Sequence, residues 1–138
     1  MTLRVVVEAD GGARGNPGPA GYGAVVRDAA TDAVLAERKA ALGITTNNTA
    51  EYQGLIAGLA AARDVGASDV EVRMDSRLVI EQMTGRWRIR HPPLQTLAEQ
   101  AKALAAEFDT VNYEWIPREL NQHADRLANE AMDSAVDD

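Results

Sequence analysis

Leu3-Arg4-Val5-Val6-Val7-Glu8-Ala9-Asp10-Gly11-Gly12 is the stretch on which the fold turns. Leu3, Val5, Val7 and Ala9 alternate with Arg4, Val6, Glu8 and Asp10, the two-residue period of a strand with one buried face, and the glycine pair ends it. Asp10 is therefore expected at a strand's C-terminal end. Downstream, Gly15-Asn16-Pro17-Gly18-Pro19 is turn chemistry. Gly21 to Arg27 and Ala33 to Ala41 read as two more strands around a short Asp28 to Asp32 turn, so the chain opens with an antiparallel meander.

After the meander the period changes. Thr49 to Arg63 reads as a helix with Tyr52, Leu55, Ile56 and Leu59 on its buried stripe. Val70, Val72 and Met74 alternate with Glu71, Arg73 and Asp75, which makes a strand whose last outward residue is Asp75. Helices follow from Ser76 as N-cap to about Met83 and over Leu94 to Phe108; Val111 to Ile116 is the last strand, and Asn121 starts the final helix. Three strands and then alternating helix and strand predict an α/β fold, a five-stranded mixed sheet with parallel strands added to the meander and helices flanking it. One domain over residues 1–138 is expected, ordered from about 3 to 132, with Asp133 to Asp138 a frayed acidic tail.

Composition narrows the chemistry. The 138 residues contain no cysteine and only two histidines, so a bound metal would be held mainly by oxygen. No apolar run approaches the ~20 residues of a membrane span, and the N-terminus lacks the pattern of a signal peptide, so a cytoplasmic protein without a membrane partner is expected. The net charge of -7 excludes a broadly basic nucleic-acid binder. Three windows nevertheless lack acidic residues, those between Asp10 and Asp28, Glu37 and Glu51, and Glu81 and Glu99, and they hold Arg14, Arg27, Arg38, Lys39, Arg86, Arg88 and Arg90.

Four carboxylates stand in distinctive settings: Asp10 before Gly11-Gly12, Glu51 in Asn47-Asn48-Thr49-Ala50-Glu51, Asp75 in Met74-Asp75-Ser76, and Asp125 in Asn121-Gln122-His123-Ala124-Asp125. If the strands carrying Asp10 and Asp75 are parallel neighbours, both acids leave the same end of the sheet, where open α/β sheets place their sites. Glu51 shares a helix face with Leu55 and Leu59, and Asp125 lies one turn into the last helix. Each has a plain structural alternative: Asp10 a turn former, Glu51 completing a capping box with Asn48, Asp75 a polar strand residue, Asp125 an acid favoured by a helix dipole. Together, without matching cations, the four would repel one another, and divalent ions relieve such repulsion. Mg²⁺ suits them because it takes carboxylate, water and phosphate oxygens.

The order and contexts of these acids resemble the ribonuclease H type 1 family, over about Leu3 to Met132. The resemblance implies an endonuclease that cuts the RNA strand of RNA·DNA hybrids with two Mg²⁺ ions, or Mn²⁺ in their place, leaving a 5′-phosphate and a 3′-hydroxyl. By that likeness Asp10 bridges both ions, Asp125 helps hold the one that activates water, and Glu51 with Asp75 holds the other. It places Gly12, Arg14 and Asn16 in a loop close to the RNA strand, Asn47 and Asn48 in the minor groove, and Thr46 with Asn16 near a phosphate of the DNA strand. A monomer acting on the hybrid alone is expected.

Two departures stand out. Where many bacterial relatives carry a basic insertion, this chain has only Gly85-Arg86-Trp87-Arg88-Ile89-Arg90-His91; if extended, it puts three arginines on one face and Trp87 with Ile89 on the other, a short grip for the DNA strand. The loop before the last helix, Ile116-Pro117-Arg118-Glu119-Leu120, lacks the family's mobile histidine and resembles the compact branch of archaea and some bacteria. Arg118 is the expected stand-in, and His123, about 200° around the helix from Asp125, is expected on the surface. Some compact relatives precede an acid-phosphatase-like domain, so a piece of a bifunctional protein is one expectation. Competing readings are a non-catalytic hybrid-binding module and a resolvase- or transposase-type nuclease.

Overall fold

The structure, a computed structural model, describes residues 2–136. Strands β1 (Arg4–Ala13), β2 (Gly18–Asp28) and β3 (Val34–Thr45) form the antiparallel meander. Helix α1 (Asn47–Asp64) leads to β4 (Asp69–Met74), and α2 (Arg77–Met83) and α3 (Pro92–Ala105) lead to β5 (Thr110–Trp115). One 3-10 turn, Arg118–Leu120, precedes α4 (Gln122–Val136). The five strands lie in the order β3-β2-β1-β4-β5, with β4 parallel to both β1 and β5. The mixed sheet and its helical flanks are thus those expected from the periodicity.

Several boundaries move, for identifiable reasons. β1 does not stop at Gly11-Gly12: pairing with β2 continues to Ala13↔Ala20, whereas pairing with β4 stops at Glu8↔Arg73. Asp10 is therefore inside a strand, at the point where one edge of that strand has become free. β2 and β3 outrun their expected spans, and their ladder ends at Gly18↔Thr45. Thr46 then caps α1, its Oγ1 accepting the Thr49 N–H at 3.2 Å, so the helix begins before Thr49. Glu51 consequently falls in the second turn, not the first, and the capping box with Asn48 does not form. Ser76 caps α2 as expected, accepting from Val79 N–H at 3.3 Å. Part of the expected tail, through Val136, continues α4; residues 137 and 138 lie outside the described residues.

Packing divides the sheet's faces. α1, α2 and α3 cover one of them, closing a core of Val5, Val7, Ala9, Leu55, Leu59, Val72 and Leu97. α4 packs on the other face across β1, β2 and β3, burying Ala124, Leu127, Ala128 and Ala131. Two close approaches seat these helices. A Cβ on Gly11 would lie 2.2 Å from the Ala50 carbonyl carbon of α1, and one on Gly23 would lie 2.5 Å from the Ala124 oxygen of α4. Gly23 is also the cross-strand partner of Asp10.

Gly23→Ala must therefore push α4 off the sheet. A destabilisation of about 1–3 kcal/mol is expected, read as a fall in Tm of roughly 5–15 °C. A variant melting with the wild type would show that α4 is not seated at this contact.

Candidate active site

Four elements bring four acids to one place. Asp10 comes from β1, Glu51 from α1, Asp75 from the bend after β4, and Asp125 from the first turn of α4. All four line an open cleft of about 360 Å³, together with Gly11, Gly12, Ala13, Arg14, Asn47, Arg118, Asn129 and Met132. Asp10 is buried, with 7% of its surface exposed. Glu51 reaches it because α1 touches the strand at Gly11, and Asp125 reaches it because α4 touches β2 at Gly23. The free edge of β1 beyond Glu8 leaves room for Asp75.

This crowding sets the electrostatics. Burial first, then the charges of Asp75 and Asp125, pushes the Asp10 carboxyl up to about 8; a hydrogen bond with Glu51 opposes the shift. Glu51 is raised well above the ordinary carboxylate range by burial first, then by Asp10 and Asp75, against a hydrogen bond from the Gly11 backbone. Without a counter-ion the cluster holds protons at neutral pH.

A divalent cation fits this donor set. Glu51 Oε2 is buried without a hydrogen-bond partner, an oxygen left free in a site rich in acceptors. Among the described residues no group of three or more His, Asp or Glu side chains forms a ready-made cage for one ion. That is no obstacle for Mg²⁺, which keeps several waters and takes one or two carboxylates plus substrate phosphate oxygens.

Asn121 carries a role that the sequence reading missed. It is 1% exposed, and its Nδ2 donates to the Ala9 carbonyl and to Asp75 Oδ1, both at 2.9 Å. One amide thus ties β1, the β4–α2 bend and the start of α4 together. Asn121 was visible as part of the Asn-x-x-Ala-Asp pattern, but its local signal was that of a helix start. Arg118 sits at the cleft mouth, its Nη2 3.6 Å from Asp125 Oδ1.

The expected substrate residues divide into those at the cleft and those outside it. Gly12, Arg14 and Asn47 line it. Asn47 Oδ1 accepts the Ala13 N–H at 2.7 Å, and Asn16 Oδ1 accepts the Asn47 N–H at 3.0 Å, so the β1–β2 loop is locked to the start of α1. Thr46 spends its hydroxyl as the helix cap, and Asn48 is exposed beside it. Arg14 donates to Asp133 at 2.8 Å and to Asn129 at 3.3 Å.

Arg86, Trp87, Arg88 and Arg90 do not line the cleft; they follow α2. The segment is not the two-faced extended run expected. Arg86 and Trp87 N–H groups both donate to the Glu81 carbonyl, which folds the chain into a tight helix exit. Ile89 packs against the core, whereas Trp87 stays 47% exposed, so the two do not share a buried face.

His123 lies at the surface away from the cleft, as expected, and is held there: Arg27 Nη2 donates to its Nδ1 at 2.7 Å and its Nε2 meets Glu37, which ties α4 to β2 and β3. Most cations of the first two acid-free windows are paired with acids from elsewhere, Arg27 with Glu8 at 2.9 Å and Lys39 with Glu130 at 2.8 Å. His91 caps α3 with its backbone, outside the acid cluster.

Comparison with known proteins agrees with this geometry. A family model described as reverse transcriptase-like matches residues 8–131. The bifunctional protein Rv2228c of Mycobacterium tuberculosis is 62% identical over 134 residues, 97% of this chain, and the chain spans 37% of that relative's length. The solved N-terminal RNase H domain of Rv2228c, fused to maltose binding protein, superimposes with a TM-score of 0.97 at 60% identity, over 99% of this chain and 98% of that one. LC11-RNase H1, solved in complex with an RNA/DNA hybrid, gives a TM-score of 0.89 at 41% identity, over 96% and 99% of the two chains. On fold, sequence and extent of match, the chain belongs to the ribonuclease H type 1 family.

Proposed function

We propose that this chain hydrolyses the RNA strand of RNA·DNA hybrids, with Asp10, Glu51, Asp75 and Asp125 holding two Mg²⁺ ions, or Mn²⁺ in their place. The carrying observation is the buried acid cluster, with its raised Asp10 and Glu51 and the free Glu51 Oε2, in a chain similar to a ribonuclease H1 solved with a hybrid. When bound, the ions supply positive charge to the attacking water and to the departing 3′ oxygen, leaving 5′-phosphate and 3′-hydroxyl ends. By likeness to the family, Asp10 would serve both ions, Asp125 would help hold the one on the water side, and Glu51 with Asp75 would hold the one on the leaving-group side.

The remaining residues bind and orient. Arg118, exposed at the cleft mouth beside Asp125, contacts a phosphate; its guanidinium stays protonated, so it is no general base. Gly12, Arg14, Asn16, Thr46, Asn47 and Asn48 form the rim that faces the hybrid, where the side-chain amides of Asn47 and Asn48 suit 2′-hydroxyl recognition and Thr46 with Asn16 lies toward a phosphate of the DNA strand. Arg86, Trp87, Arg88 and Arg90 grip the DNA strand. Among the described residues no helix is long and apolar enough to cross a membrane. We further read residues 1–138 as a single, monomeric and cytoplasmic ribonuclease H unit, of the kind that a longer bifunctional protein carries.

Cleavage of a labelled hybrid with and without Mg²⁺ tests the reading directly, and Asp10→Asn sharpens it. The variant should lose nearly all cleavage yet be at least as stable without metal. Asp10 is raised in the folded state, so folding binds its proton, and stability falls as pH rises from about 4, the ordinary carboxylate value, to about 8. In chelator, wild-type Tm should decline across that window and Asp10→Asn should decline less. Near-native cleavage by Asp10→Asn would rule out the metal assignment.

Two further variants separate orientation from grip. Arg118→Ala should lower kcat on the order of tenfold, the cost of one charge-assisted contact. Changing Arg86, Arg88 and Arg90 together to Ala should mainly raise KM and flatten the salt dependence of binding, because such contacts are made alike in ground and transition states. An unchanged salt slope would return the three arginines to ordinary surface.

A further inference from the structure

Asp75 is the one acid of the cluster outside regular structure. β4 ends at Met74 and α2 begins at Arg77, so Asp75 occupies a bend with neither ladder nor helix to fix its backbone. The carbonyl before it, that of Met74, accepts the Ile116 N–H at 2.9 Å. Its own carbonyl is met by a side chain: the Trp115 indole N–H donates to the Asp75 oxygen at 3.1 Å. Trp115 closes β5 opposite Met74, and the Arg77 guanidinium stands 4.4 Å from the centre of its ring.

We infer that Trp115 is a positioning residue, which pins the Asp75 backbone so that its carboxylate is held ready for a divalent cation. Asp75 would then be fixed at two points, its carbonyl by Trp115 and its Oδ1 by Asn121. With only the Asn121 bond, rotation of the bend could carry the carboxylate and its partner amide apart; the second anchor removes that freedom. Arg77 holds the ring in turn, because a cation over an indole face restrains the rotamer from which the N–H reaches Asp75. No local pattern announces this: Trp115 is 38% exposed on an edge strand, where an aromatic ordinarily needs no partner. Groups that orient a metal's ligands commonly change affinity without touching the ion.

The inference rests on the reading of Asp75 as a metal ligand, and the experiment separates the two. Trp115→Phe keeps the ring and loses the N–H. Calorimetric Mg²⁺ titration without substrate should show binding weakened ~3- to 10-fold, in keeping with one lost hydrogen bond to a ligand's backbone. The Mg²⁺ needed for half-maximal cleavage should rise by a similar factor, with KM for the hybrid at saturating Mg²⁺ unchanged. In an Asp75→Asn background the same substitution should add nothing. As a second readout, Mg²⁺ should shift the emission of Trp115 when it is the sole tryptophan, in a Trp87→Phe protein used for fluorescence only.

Wild-type Mg²⁺ affinity in Trp115→Phe, a loss that persists in Asp75→Asn, or an emission unmoved by Mg²⁺ would overturn the inference while Asp75→Asn alone remains impaired. An Asp75→Asn protein that binds Mg²⁺ and cleaves normally would overturn the ligand reading, and this inference with it.

Discussion

Two helices touch the strand pair around Asp10, each at a residue without a side chain. α1 rests on Gly11 and α4 on Gly23, with backbone atoms closer than any Cβ would allow. The two contacts lie on opposite faces of the sheet, so Asp10 is enclosed from both sides at the place where β4 has stopped pairing with β1. Glu51 arrives with one helix and Asp125 with the other. Displacing either helix by the width of a methyl group would open the cluster, because a side chain's reach is only a few ångströms.

The same enclosure is costly for the folded protein. Carboxylates gathered in a partly dry cleft repel one another and lose hydration, and both effects raise Asp10 and Glu51. The structure offsets this elsewhere. An apolar core under α1 and α3 seals one face of the sheet, and Asn121 spans three elements beside the acids with bonds of 2.9 Å. Under the proposed function, a bound cation would relieve this repulsion.

An acidic chain proposed to act on a polyanion must ration its positive charge. Most described cations are neutralised within the protein: Arg27 by Glu8, Lys39 by Glu130, Arg73 by Glu71. Of the arginines after α2, Arg86 is paired as well, with Glu81 at 3.5 Å, and the loop that carries all three is tied down through its backbone. Glu81 holds the backbone of Arg86 and Trp87, Gln82 donates to the Arg88 carbonyl at 3.5 Å, Gln95 donates to the Ile89 carbonyl at 2.7 Å, and Ile89 anchors the loop in the core. A loop tied at four points offers its charged ends at little further cost in entropy, which compensates for its shortness compared with a long basic insertion.

Local chemistry made much of this legible in the chain. The alternation of Val5, Val7 and Ala9 announced β1, Ser76 announced α2, and four acids in their contexts announced the site, because period and capping depend on near neighbours alone. Where two local signals competed, the sequence was ambiguous: Thr46 and Asn48 are both good caps, and the β2–β3 ladder, running to Thr45, decided for Thr46. That Asp10 lies inside a strand with one bare edge follows from the unequal reach of its two neighbours, and no window around Asp10 contains that information. The partners of Asn121, His123 and Arg14 are likewise set by pairings across 46 to 119 positions. The sequence by itself determined which four acids the candidate site would contain; the seating of α1 and α4 on the sheet decided how they meet, since helix placement is the sum of many distant contacts and is written in no single motif.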